Sequence, residues 1–284
     1  MVLESLFNPF TVKKKPWQMF GAGFIYSIIG LGLSYFVFRD AASLLTVFLI
    51  VIAALPMIFV TIKNEEELDM KYDGEIKLLK EHTKVLIFLM FLFFGITVGL
   101  VLAYIILPQA VVDSVFSLQQ QAIVNVNNNI HGSVLGFALK LDLFSKIFVN
   151  NIKVMFFCLI FSFLYGTGAI FILAWNASVI ATAIGSLFKS ELTKTASIVG
   201  LNSITGYFGA ATLSFFRYMT HGFFEIAAYF VAGLAGGIIS IALIKHNLKE
   251  NRVILDSLDL VLISLALLFV AGIIEVYLTP VLFA

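Results

Sequence analysis

Apolar runs of about twenty residues recur along this chain, each the length that crosses a hydrocarbon core. Residues 17–38 predict a first span and residues 41–62 a second, with the Arg39-Asp40 turn between them and Pro56 as a kink. Residues 85–107 predict a third, stopped by Pro108, and residues 152–173 a fourth, with Gly166 and Gly168 inside it. Trp175-Asn176 then interrupts the pattern. The apolar piece at 177–188 is too short to cross and reads as a re-entrant half-helix. Residues 197–216 and 220–240 predict two more spans, divided at Arg217-Tyr218. Residues 261–277 form the core of the last, closed by Thr279-Pro280. The pattern is that of an all-α polytopic membrane bundle, with about six to seven transmembrane helices and the half-helix.

The polar stretches set the organisation. Residues 63–84 carry charges of both signs and read as a solvated loop with a short helix; a partner-docking surface is the alternative. Residues 108–151 form the largest segment without a spanning run, rich in amides such as Gln119-Gln120-Gln121. Within it, 134–148 alternates Leu135, Leu139, Phe144 and Ile147 with Lys140, Asp142 and Lys146, the pattern of an interfacial amphipathic helix. This divides the chain into 1–107, 108–151 and 152–284. Lys13-Lys14-Lys15 before the Trp17 anchor places the N-terminus in the cytoplasm. Residues 63–84, 189–195 and 245–257 then fall inside, and 39–40, 108–150 and the C-terminus outside.

Composition agrees with this reading. Of 284 residues, 61% are hydrophobic and only 12% charged, so the chain is expected in the cell membrane with the lipid bilayer as its first partner. The first run is longer than a signal core and no small-x-small cleavage site follows it, so it reads as a helix that is kept. A formal charge of +1 gives no field for nucleic acid. A single cysteine, Cys158, excludes an intrachain disulfide and a cysteine metal cluster.

The candidate chemistry sits near the outer ends of the last spans. His221, Glu225, Ala228, Ala232, Gly236 and Ser240 recur at helical spacing on one face, ionisable at one end and small thereafter. The small positions Ala228, Ala232, Gly236 and Ser240 suit close helix packing, and such faces are also compatible with a homo-oligomer. Glu275 lies on the same side near the end of the last span, Arg217 one turn before His221, and Asn150, Asn151 and Asn176 at other span ends. Three readings stay open: these groups lock helices together, line a proton, ion or substrate pathway, or bind a hydrolytic zinc. The motif is His-Gly-x-x-Glu rather than His-Glu-x-x-His, and His82, His131 and His246 lie elsewhere. No Ser-His-Asp order, Walker loop or dinucleotide fingerprint is present. No catalytic residue, metal or cofactor is therefore assigned.

Several ordered pieces over roughly 140–284 resemble the stage II sporulation protein M family. They are Asn150-Asn151, Gly166-x-Gly168, Asn176, Gly185, Thr220-His221-Gly222-x-x-Glu225-x-x-Ala228, the small run from Ala232 to Gly237, and Ile274-Glu275-x-x-x-Thr279-Pro280. Thr220 stands where the family usually has proline. The resemblance implies a polytopic membrane core, a motif role for His221, Glu225 and Glu275, and membrane protein partners. The family's namesake scaffolds peptidoglycan-degrading partners during engulfment in spore formers. The resulting expectation is a multi-pass scaffold organising membrane or envelope proteins. A transporter or channel-like component is the alternative, and an intramembrane metal hydrolase a third.

Overall fold

The computed structural model describes residues 16–69, 75–130, 137–165, 168–199, 204–244 and 251–283, and the regular elements among them are all helical. α1 (Trp17–Val37) and α2 (Ala42–Asp69) are joined by a tight turn at Arg39–Ala41, and α3 is Glu75–Ile106. Two short helices follow, α4 (Gln109–Val115) and α5 (Ser117–Ile130). The rest is α6 (Phe137–Tyr165), α7 (Ala169–Val199), α8 (Ile204–Ile244) and α9 (Asn251–Ile273), then a π-helical turn (Ile274–Leu278) and α10 (Thr279–Leu282). Seven of these stretches are long and apolar enough to cross a membrane.

Glycine sets the tightest packing. A Cβ added to Gly23 of α1 would land on the Leu92 carbonyl oxygen of α3, and one added to Gly95 of α3 would land on the Phe20 carbonyl of α1. The two backbones therefore meet reciprocally, as small residues permit inside lipid. Residues 109–130, between α3 and α6, are no free loop. Gln119 is buried and bridges helices, accepting from Ser43 of α2 at 2.7 Å and donating to Ser178 of α7 at 3.1 Å.

The span boundaries differ from the sequence reading in four places. Residues 177–188 are not a half-helix but the middle of α7, which crosses fully. Asn176 does not break it, because its side-chain amide donates to the Ile172 carbonyl at 2.8 Å within the same helix. The fourth span is α6, ending at Tyr165, so the chain turns near Gly168 rather than passing through it.

Residues 137–148, expected as part of an interfacial helix, are the first turns of α6. Two of their aromatic side chains find protein: Phe144 and Phe148 pack edge-on against Phe269 of α9, and Gly272 leaves room for Phe144. Residues 197–216 and 220–240 belong to one helix, α8, with Arg217-Tyr218 inside it. At 41 residues α8 is about 60 Å long, twice a hydrocarbon core of about 30 Å.

The side expected for residues 189–195 is also corrected. Lys189 Nζ lies 3.4 Å from Gln109 Oε1 and 4.9 Å from the Tyr104 ring centroid, so it stands where α3 finishes. That is the end carrying 108–116, opposite 63–69. Lys189, Glu191 and Lys194 nearly balance, so this stretch carries little orienting charge. Lys13 to Lys15, Gly166, His131, His246 and the rest of the turn at 245–250 lie outside the described residues.

Candidate functional site

α6, α8 and α9 meet around a small polar cluster. On α6, Asn151, Met155, Cys158 and Ser162 are buried at spacings of three and four, which fixes the face turned inward. Gly236 of α8 allows the approach: a Cβ there would meet the Leu159 carbonyl and come within 3.0 Å of Ser162 Cβ. α9 is held to α8 by Ser264, whose hydroxyl donates to the Ala228 carbonyl at 2.8 Å. Ala228, Ala232, Gly236 and Ser240 are all buried.

Within this frame the amide of Asn151 donates to Glu225 Oε1 at 2.5 Å, and the Tyr229 hydroxyl donates to Asn151 Oδ1 at 3.0 Å. Glu275 reaches across from the π-helical turn and lies against Glu225. The wide turn has a local cause. Pro280 cannot supply the N–H that would continue the α ladder. Thr279 instead sends both its N–H and its hydroxyl to the Ile274 carbonyl, the latter at 3.1 Å. Such turns recur at functional sites.

The remaining candidates fall into different surroundings. His221 is half-buried, with Nδ1 3.4 Å from Thr279 Oγ1, one turn of α8 from Glu225. Asn150 is exposed, away from the Asn151 face. Arg217 is exposed and Asn176 bonds within its own helix. Tyr229 and Thr279 also belong to the cluster, beyond the site residues that the sequence indicates. Tyr229 lies four residues after Glu225, a spacing that puts both on one helix face and is itself the signal in the sequence. A second polar contact joins the opposite end: His82 of α3, fully buried, places Nε2 2.9 Å from Asp256 Oδ2 of α9.

Among the described residues no three His, Cys, Asp or Glu side chains group as a metal ion would need. A cavity of about 20 Å³, lined by Ile58, Leu89, Ser162, Ala169, Phe230 and Gly233 among others, is apolar and borders none of the cluster.

Seven apolar spans with a polar cluster tying three of them define a multi-pass membrane protein. The family model for stage II sporulation protein M matches residues 85–280, and the chain belongs to that family. The match takes in α3 and the segment after it, beyond the region that carries the motif resemblance. The chain is also 33% identical over 143 residues to an uncharacterized protein of Methanocaldococcus jannaschii, covering 48% of this chain and 71% of that one. No solved structure matches it.

Proposed function

We propose that this chain is a membrane scaffold, organising membrane or envelope partner proteins around a bundle whose core helices are fixed in register. One observation carries the reading. The cluster is closed on itself, with Tyr229 donating to Asn151, Asn151 to Glu225, and Glu275 against Glu225. Polar side chains that find partners inside a membrane hold helices together, and an unpaired one would be costly. The N-terminus is cytoplasmic in this reading. The odd number of spans then puts the C-terminus outside.

The test is the stability of purified Glu225→Gln and Asn151→Ala beside wild type, in detergent, with and without zinc and a chelator. Loss of stability that metal does not alter supports a structural cluster. Variants as stable as wild type would move the cluster to a functional cavity. Cross-linking in native membranes then asks which proteins the chain gathers.

A second reading, proton-linked transport, is favoured by the Glu225–Glu275 contact itself, because paired carboxyls within spans mark proton pathways elsewhere. Its test is flux into proteoliposomes under a pH gradient, abolished by Glu225→Gln.

A further inference from the structure

The outward face of α6 carries a pattern that neither the cluster nor the bundle uses. Lys146, Asn150, Lys153, Phe157 and Leu164 are all exposed. At 3.6 residues per turn they fall within a stripe about 60° wide, on the side opposite the buried Asn151, Met155, Cys158 and Ser162. The stripe is polar at its outer end and aromatic or aliphatic thereafter, with Phe161 flanking Phe157.

Lys153 is the odd member. It lies inside the span that runs from Lys140 to Leu164, about 3 Å deeper along the axis than Asn151. It faces away from the protein, whereas charged side chains in spans usually face the bundle. Lys146 is satisfied by Asp142 at 2.7 Å, but Lys153 has no acidic partner among the described residues. A long side chain at this depth turns its ammonium toward the nearer headgroup layer.

We propose that this stripe binds an anionic phospholipid of the leaflet at that end. Its phosphate accepts from Lys153 and from the Asn150 amide, and an acyl chain lies along Phe157, Phe161 and Leu164. A second copy of the chain fits the face poorly, since isologous pairing would set Lys153 against Lys153.

The experiment uses the full-length purified chain in detergent, titrated with phosphatidylglycerol or with phosphatidylcholine of the same acyl chains. Thermal unfolding and native mass spectrometry report binding. Phosphatidylglycerol is expected to bind and raise the unfolding midpoint more than phosphatidylcholine. Lys153→Gln should weaken its binding roughly tenfold, the scale of one lost charge-assisted hydrogen bond, with the lipid-free midpoint unchanged. Lys194→Gln, which removes one exposed charge at the same end, should bind as wild type does. Equal response to the two lipids, or full phosphatidylglycerol binding by Lys153→Gln, would overturn the proposal. So would equal weakening in Lys194→Gln, because the effect would then be net charge. Unchanged lipid binding with loss of a membrane protein cross-linked through position 153 would overturn it in favour of a partner helix.

Discussion

Asn151 of α6 donates its side-chain amide to Glu225 of α8, and this bond joins the two helices where their faces carry polar groups. The Tyr229 bond to the same amide is secondary, because it satisfies an oxygen and not a carboxyl group. Asn151→Ala is therefore expected to cost about 1–3 kcal/mol, the range for leaving a buried group unsatisfied. Tyr229→Phe should cost less, about 0.5–1.5 kcal/mol, the net worth of one hydrogen bond. The double variant should cost less than the sum, since both act through one amide. Unfolding in detergent measures all three. A Tyr229→Phe cost larger than that of Asn151→Ala would contradict this ranking.

Two glycines of α8 make a sharper comparison. A Cβ at Gly236 meets the backbone of α6, which cannot move aside without separating the helices. A Cβ at Gly222 meets only the end of Met219, at 3.9 Å. Replacing helical glycine by alanine otherwise gains up to about 1 kcal/mol in propensity. Gly222→Ala is thus expected to be neutral or stabilising. Gly236→Ala should lose about 1–3 kcal/mol to overpacking, against that gain. Thermal midpoints of the two variants, measured side by side, decide it.

Hydropathy reads the helical class, but its total of spans agrees only because two misreadings offset: 177–188 belongs to a full span, and 197–216 and 220–240 to a single one. It does not read where helices end when the break is polar but tolerated. Asn176 looks like an interruption, yet an asparagine that bonds its own preceding turn stays helical. Arg217 looks like a boundary, yet α8 runs on because it is longer than the bilayer is thick. The contact between Glu225 and Glu275 depends on the wide turn before Pro280, and the sequence shows only the proline. Asn150 and Asn151 are adjacent in sequence, and only the packing of α6 distinguishes the buried one from the exposed one.

At the other end of the bundle, Asp256 is paired with His82 while Asp259, one turn along α9, is exposed. Breaking a wholly buried pair costs about 3–5 kcal/mol. Here the Asp256 side chain is 20% exposed, so water compensates part of the loss. Asp256→Asn is expected to destabilise by about 1–3 kcal/mol, and Asp259→Asn by no more than about 0.5 kcal/mol. Equal effects in urea or thermal unfolding would show that the pair contributes nothing specific.

The placement of Lys189 against Gln109 and Tyr104 makes a prediction about sides that unfolding cannot test. If α7 crosses fully, residues 113 and 194 face one compartment and residue 64 the other. Cys158 is buried, so cysteines introduced as Asp113→Cys, Lys194→Cys and Asn64→Cys can be labelled against a silent background. A membrane-impermeant maleimide added to intact cells should label positions 113 and 194 without permeabilisation, and position 64 only after it. The contrast comes from α7 alone. A half-helix at 177–188 would return the chain to its starting side and put position 194 with position 64. Labelling of 194 together with 64, and apart from 113, would therefore reject the full crossing of α7 whatever the orientation of the protein as a whole.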